Sequence, residues 1–106
     1  MLNVLTNDNF DVAVVRPPGL YAVRFWAHWC GPCRAMAPVY QAVAAAKQDQ
    51  IGFGEVDLDQ SPDLAARYGV QSIPTVLLFK NGHLVDRMIG AVPKQKLLDF
   101  FAEHQD

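Results

Sequence analysis

Cysteine is scarce in this sequence, and its scarcity limits the kind of site that the chain can hold. The only two cysteines are Cys30 and Cys33. A structural zinc site needs four ligands, so it would have to recruit from three histidines that lack zinc-finger spacing, namely His28, His83 and His104. A purely structural disulfide between the cysteines would close too short a loop to constrain the unfolded chain. We therefore expect neither a metal site nor a structural cross-link.

An excess of charge and long apolar runs are also missing. The net charge of -2 argues against nucleic acid or an anionic membrane as the main partner. No apolar run approaches the roughly 18 residues of a membrane span. Residues 1–10 carry Asn7, Asp8 and Asn9 where a signal peptide needs a basic flank and an apolar stretch, so we expect a cytoplasmic protein. No linker or repeat divides the chain, and residues 1–106 are expected to form a single domain.

The most informative segment present is Trp29-Cys30-Gly31-Pro32-Cys33, which lies between an apolar run and a stretch with helical periodicity. A helix that starts at the first cysteine directs its unpaired backbone N–H groups and its positive dipole end at that sulfur, which favours thiolate over thiol. Pro32 suits the first turn of a helix, and Gly31 lets another chain approach the sulfurs. Because thiolates attack disulfides, the segment predicts a reversible dithiol.

The pattern of apolar segments and breaker residues predicts an α/β chain with the element order βαβαβαββα. Strands are expected at residues 2–5, 20–27, 51–57, 75–79 and 84–89. A short first helix, capped by Thr6 or Asn7, should bury Phe10 and Val14, and the long second helix should follow Cys33. Further features are a helix at residues 61–68, a hairpin turn at residues 81–82 and a last helix opened by Pro93.

Short motifs spread along the chain match one known family in order and spacing. They are Phe25-Trp26-Ala27, Trp29-Cys30-Gly31-Pro32-Cys33, Pro38, Asp59, Ile73-Pro74-Thr75, Asn81-Gly82 and Gly90. In these residues the chain resembles the thioredoxin family over essentially its whole length. The resemblance implies the thioredoxin fold, in which helices flank both faces of a central mixed β-sheet. It also implies a thiol-disulfide oxidoreductase that reduces protein disulfides without a bound cofactor.

The resemblance assigns roles to the residues around the dithiol. Cys30 would be the nucleophile that forms a mixed disulfide with a substrate protein, and Cys33 would be the resolving thiol that leaves a Cys30–Cys33 disulfide. Pro74 would be a cis-proline opposite the dithiol, and Ile73 would offer backbone groups to an extended substrate segment. An uncharged contact patch would surround the sulfurs, formed by Trp29, Gly31, Pro32, Ile73, Pro74 and Gly90. A thioredoxin reductase that draws on NADPH would regenerate the dithiol of this monomer.

Arg24 departs from the family pattern, which has a buried aspartate at this place in the strand behind the resolving cysteine. In the next strand the usual lysine is replaced by Glu55, so the two charges are exchanged. An unpaired charge in a central strand is costly, and we therefore expect Arg24 and Glu55 to form a pair. The alternative is that Arg24 reaches solvent and Glu55 is an ordinary surface acid.

A guanidinium cannot act as a general base, so two roles are open for this pair. Glu55 is the candidate proton acceptor for Cys33, either directly or through a water. Alternatively, Arg24 stabilises the Cys33 thiolate electrostatically, which would make the couple more oxidising than that of a thioredoxin with the usual polarity.

Two other functions remain open from the sequence. One is a disulfide oxidase or isomerase of an oxidising compartment, against which the Gly31-Pro32 pair and the lack of an export signal argue. The other is a thioredoxin-fold binding module or scaffold with secondary redox activity, which the altered polarity of Arg24 and Glu55 allows.

Overall fold

A mixed sheet of five strands lies at the centre of the structure, as the sequence pattern predicts. The computed structural model describes residues 2–105. The strands are β1 (Leu2–Leu5), β2 (Leu20–Trp26), β3 (Ile51–Asp57), β4 (Thr75–Lys80) and β5 (His83–Ile89). Their spatial order is β1-β3-β2-β4-β5, with β1 and β2 parallel to β3 and with β4 antiparallel to both β2 and β5. Strand β2 therefore lies in the middle of the sheet.

Helices cover both faces of this sheet, as the family resemblance implies. They are α1 (Gly31–Lys47), α2 (Pro62–Arg67) and α3 (Lys94–Ala102). On one face, Tyr40 of α1 and Phe101 of α3 pack against Phe53 of β3. On the other face, Leu64 of α2 lies in the same core as Phe25 of β2. Because successive strand residues point to opposite faces, β2 contributes to both cores, which explains its nearly continuous apolar sequence.

The first helix differs from the α-helix that the sequence predicts. Asp11–Val15 form a single π-helical segment, and the Arg16 N–H donates to the Asp11 carbonyl at 3.0 Å. The segment cannot extend beyond Arg16, because Pro17 and Pro18 follow and have no N–H to donate. Phe10 and Val14 are both buried as predicted. With room for only one turn, tertiary packing of these two side chains overrides the preference for α-helical geometry.

The start of this segment also differs from the prediction. Phe10 occupies the N-cap position, and no side chain bonds to the first turn, so neither Thr6 nor Asn7 acts as a cap. The Asn9 side chain forms a turn instead, accepting from the Thr6 N–H at 2.8 Å and donating to the Val4 carbonyl at 2.9 Å. Because an asparagine amide both accepts and donates, it bonds the start of the segment back to β1.

The turn between β4 and β5 has the conformation that Asn81-Gly82 predicts. Both residues have a positive φ, 52° for Asn81 and 83° for Gly82, as in a two-residue hairpin turn. A side chain at Gly82 would also overlap the Val15 carbonyl, so both the turn and the close packing require glycine there. No helix among residues 2–105 has the length and apolar character needed to cross a membrane.

The Tyr40 hydroxyl bonds α1 to the two central strands. It lies 3.1 Å from the Ala22 carbonyl of β2 and 3.1 Å from the Gly54 carbonyl of β3, and it shares its single proton between them. Tyr40 is fully buried. Burial, and next the negative charge of Glu55, raise the pKa of Tyr40 well above its ordinary value. The phenol therefore stays protonated in the folded protein.

We predict that Tyr40→Phe lowers the free energy of unfolding by about 1–3 kcal/mol near neutral pH, because two buried carbonyls lose a donor. Above the ordinary tyrosine pKa of 10.0, the unfolded chain loses protons that the folded chain retains at Tyr40. The stability that Tyr40 contributes is therefore present below this pH and is lost as the pH rises above it. Denaturant unfolding of the oxidised proteins should show that the free energy of unfolding falls less at alkaline pH in the variant than in the wild type. An equal fall in both proteins would contradict the prediction.

Candidate active site

The dithiol lies at the N-terminus of α1, shortly after the carboxyl end of β2. Cys30 is the N-cap residue of the helix, and Cys33 lies in its first turn. The two cysteines form a disulfide with Cα atoms 5.2 Å apart, and the Cys30 Sγ accepts the Cys33 N–H at 3.2 Å. Cys33 is completely buried, whereas Cys30 is 5% exposed. Cys30 is therefore the sulfur that another protein reaches first.

The first turn of α1 favours negative charge on Cys30. Backbone N–H groups without partners inside the helix lie there, together with the positive end of the helix dipole. Pro32 fits this turn, as predicted, because it has no N–H that would need a partner. The turn contains no acidic residue that would oppose a thiolate.

The segment that leads into β4 faces Cys30. The Ile73–Pro74 peptide bond is cis, as the family resemblance implies, and the Ile73 carbonyl lies 3.9 Å from the Cys30 Sγ. A disulfide sulfur carries no proton, so this approach is a packing contact and not a hydrogen bond. The Gly90 N–H, at the end of β5, donates to the Pro74 carbonyl at 2.8 Å. The ends of β4 and β5 thus hold this segment against the dithiol.

The side chains around the dithiol are mostly uncharged and differ in exposure. Trp29 is 65% exposed, as predicted, and its Nε1–H donates to the Asp59 carboxylate at 3.0 Å. Gly31 and Pro32 are exposed too, whereas Ile73 and Gly90 are half-buried. Pro74 is buried, so it supports Ile73 more than it presents a surface of its own.

Sequence reasoning missed a groove beside Ile73. Its volume is about 270 Å³, and its lining residues are Trp29, Leu58, Val70, Gln71, Ser72 and Ile73. These residues come from three separate loops, so no local pattern could have grouped them. Ile89 was missed as well. It is 62% exposed, lies opposite Thr75 and precedes Gly90, and an apolar residue at the end of an edge strand next to a predicted site residue is the signal that could have found it.

Arg24 and Glu55 form the expected pair, and the alternative of a solvated Arg24 is wrong. The two residues are direct partners in the parallel register of β2 and β3. The Arg24 Nε–H donates to Glu55 Oε2 at 2.7 Å, and Nη2 lies 2.5 Å from the same oxygen. Arg24 Nη1 donates to the Cys33 carbonyl at 2.8 Å. The cation of the pair therefore contacts the turn that carries the resolving cysteine.

Aromatic rings enclose the Arg24 guanidinium on the α1 side of the sheet. Its central carbon lies 5.8 Å from the centre of the Trp26 ring and 5.6 Å from that of Tyr40. The Arg24 side chain is only 3% exposed, whereas the Glu55 side chain is 19% exposed. Among residues 2–105, the hydrogen bonds of the Glu55 carboxylate go to Arg24 and none goes to Cys33.

One group of side chains in the described part of the chain has metal-ligating chemistry, and it lies apart from the dithiol. Asp86 of β5 and two residues at the end of α3, Glu103 and His104, bring ligand atoms within 4.8 Å of one another. His104 Nε2 lies 2.9 Å from the Asp86 carboxylate, and this hydrogen bond lowers the pKa of Asp86. The hydrogen bond accounts for the arrangement, and we assign no metal to it.

Comparison with known proteins agrees with this geometry. The thioredoxin family model matches residues 1–103. Thioredoxin 1 of Synechococcus elongatus is 41% identical over 100 residues, which cover 94% of each chain. Thioredoxin of Porphyra purpurea is 43% identical over 93 residues, covering 88% of this chain and 87% of that one, and thioredoxin of Staphylococcus aureus is 40% identical over 100 residues, 94% of each. With its cysteine pair at disulfide distance, the chain belongs to the thioredoxin family of disulfide oxidoreductases.

Proposed function

We propose that this chain reduces protein disulfides, with Cys30 as the nucleophile and Cys33 as the resolving thiol. The Cys30 thiolate attacks a substrate sulfur, so that a bond forms between Cys30 and the substrate while the substrate disulfide breaks. The leaving substrate sulfur departs as a thiolate and takes up a proton. The observation that supports this order is that Cys30, at the helix N-terminus, retains 5% exposure, while Cys33 in the first turn is completely buried.

In the second step, the Cys33 thiolate attacks Cys30. A Cys30–Cys33 bond forms, the mixed disulfide breaks, and the second substrate thiolate is released and protonated. The substrate disulfide has then gained two electrons, and the dithiol has lost them. A thioredoxin reductase that draws on NADPH would return the electrons, as for the family, and the cysteine pair is the only redox group that this cycle needs.

The proposed substrate surface is the uncharged rim of the dithiol. It comprises Trp29, Gly31, Pro32, Ile73 and Gly90, with the buried Pro74 supporting Ile73 from within. The Ile73 backbone would pair with an extended substrate segment, as in the addition of a strand to a sheet edge. The groove next to Ile73 would accept a substrate side chain. We further propose a monomer with one domain that acts in the cytoplasm on client proteins, and not on nucleic acid or a membrane.

Two serine variants test the proposed roles. Cys30→Ser should reduce a model protein disulfide no faster than the reaction without protein, because the attacking sulfur is gone. Cys33→Ser should attack substrates once and remain joined to them, because the second step cannot occur. Non-reducing electrophoresis and mass spectrometry detect the mixed disulfide.

Other outcomes of the same assay would favour the other functions. Wild-type protein that reduces the model disulfide no faster than a small dithiol, yet binds a partner equally well in both serine variants, would favour a binding module. Net disulfide formation at glutathione ratios typical of the cytosol would favour an oxidase.

Removing the exposed tryptophan tests the proposed surface. Trp29→Ala should lower kcat/KM for a protein disulfide about tenfold, through KM, because an aromatic contact worth about 1.4 kcal/mol is lost. Reduction of a small aromatic disulfide should change much less. Val12→Ala is the matched control, since Val12 is 58% exposed and lies on the π-helical segment. Equal losses for the large and the small substrate would contradict a surface role.

Glu55 as the acceptor of the Cys33 proton stays a proposal, with water as the link. The partial exposure of its side chain, 19%, supports access to water. Glu55→Gln should then slow the release of the second substrate thiol by about 10²-fold in a single turnover, because general-base catalysis contributes at least that much. Asp57→Asn is the control, because Asp57 is also a carboxylate residue of β3. Its Oδ2 lies 3.5 Å from His28 Nε2. An unchanged release rate in Glu55→Gln would assign the proton to solvent.

A further inference from the structure

We propose that Arg24 is a positioning residue of the dithiol, which fixes the first turn of α1 and makes the Cys30–Cys33 couple more oxidising by favouring its reduced form. The proposal deepens the proposed function and rests on one part of it, that Cys30 and Cys33 are the redox centre. It follows from three features of the Arg24 surroundings, which are the direction of the ion pair, its enclosure and its bond to the Cys33 carbonyl.

The ion pair has a direction relative to the dithiol. The guanidinium contacts the Cys33 carbonyl through Nη1, while Glu55 is bound on the opposite edge, through Nε and Nη2. The cation therefore lies between the anion and the turn that carries Cys33. Because the Glu55 side chain is partly exposed and Arg24 is not, water screens the negative charge more than the positive one.

The enclosure of the guanidinium preserves its field. Trp26 and Tyr40 rings lie within 6 Å of its central carbon, at 5.8 Å and 5.6 Å, and keep solvent from that part of the side chain. Tyr40 is itself held by bonds to the Ala22 and Gly54 carbonyls, so this ring is fixed in place. A guanidinium stays protonated and is planar, so it can bind Glu55 on one edge and donate another N–H to the Cys33 carbonyl at the same time.

The two effects of Arg24 differ in how they depend on the redox state of the couple. The bond from Nη1 goes to the Cys33 carbonyl, a neutral acceptor whose charge does not change on reduction, so it holds the backbone without favouring either redox state. Reduction breaks the Cys30–Cys33 bond, adds two electrons and leaves sulfurs that carry either protons or negative charge. The positive charge stabilises the thiolate form only, and this shifts the equilibrium towards the reduced couple.

Redox titration of single-site variants in glutathione buffers tests the proposal. Arg24→Met removes the cation and should shift the equilibrium about tenfold towards the disulfide, which is about 30 mV for a two-electron couple. Glu55→Gln leaves the cation uncompensated and should shift the equilibrium in the opposite direction. Both variants break the same ion pair, so a merely structural role would move the two potentials in the same direction. A shared direction, or no shift in either variant, would overturn the proposal.

Further variants separate charge from geometry. Arg24→Lys keeps the positive charge but not the forked contacts of the guanidinium. The equilibrium constant with glutathione should therefore stay within about twofold of the wild-type value, while the free energy of unfolding should fall. The double variant Arg24→Asp/Glu55→Lys keeps opposite charges at the paired positions and should be more reducing than wild type. This variant and Glu55→Gln keep the test open if Arg24→Met does not fold, and a double variant as oxidising as wild type would overturn the proposal.

A second ion pair supplies the matched control. Arg67 and Asp11 lie 2.8 Å apart, and the Arg67 guanidinium lies 5.1 Å from the Tyr68 ring, but this pair is on the surface and does not contact the dithiol. Arg67→Met and Asp11→Asn should leave the potential unchanged. A shift in these variants equal to that of the Arg24 and Glu55 variants would overturn the proposal.

A titration reports on the thiolate itself and does not need reagent access to the buried sulfur. In a Cys30→Ser background, the ultraviolet absorbance of the Cys33 thiolate should appear about one pH unit higher in Arg24→Met than with Arg24 present, because less of the thiol is ionised at a given pH. Titration curves that coincide would contradict the electrostatic role. The experiments also separate the two proposals, since the potential is measured without a protein substrate. Potentials that shift as expected in a protein that fails to reduce protein disulfides would reject the proposed function alone.

Discussion

The architecture around the dithiol depends on the ion pair and the hydrogen bonds of the buried Arg24 guanidinium. It belongs to β2, is paired with Glu55 of β3 and bonds to the Cys33 carbonyl of α1, so one side chain connects three elements. A charge in the middle of a sheet is tolerated only when it is paired and hydrogen-bonded. Here the pairing is complete, since no buried side-chain nitrogen or oxygen among the described residues lacks a partner. The cost of burying Arg24 is thus offset by contacts that also define where Cys33 lies.

The sheet topology explains why the dithiol meets the Ile73–Pro74 segment. Strand β2 runs towards the dithiol, and β4 is antiparallel to it, so the start of β4 lies beside the end of β2. Phe25 pairs with Thr75 in this register, which brings Pro74 and Ile73 next to the residues that follow Trp26. Helices on both faces bury β2, and α1 begins shortly after the carboxyl end of this central strand. The reactive sulfur and the backbone that faces it are both held by the central pair of strands.

Much of this arrangement could be predicted from local patterns, and the failures have local explanations. The Asn81-Gly82 turn and the proline in the first turn of α1 follow from short-range chemistry, whereas the exposed Trp29 follows from the family resemblance. The prediction for the first helix was wrong in helix type and in capping residue. This single turn is followed by two prolines, and the packing of Phe10 and Val14 and the Asn9 side chain determine its shape. The groove beside Ile73 could not be predicted, because Leu58, Val70 and Trp29 are distant in sequence and meet only after the loops have packed.

The sequence by itself determined the reactive pair, the order of strands and helices and the presence of opposite charges at positions 24 and 55. These features depend on residue type, on spacing and on periodicity, all of which are local. Only the tertiary structure decided that Arg24 and not Glu55 contacts the Cys33 turn, that Trp26 and Tyr40 enclose the guanidinium, and that Glu55 keeps access to solvent. The physical reason is that the direction of an ion pair depends on the register of two strands and on the helix packed above them, and several different elements must be placed before either is defined.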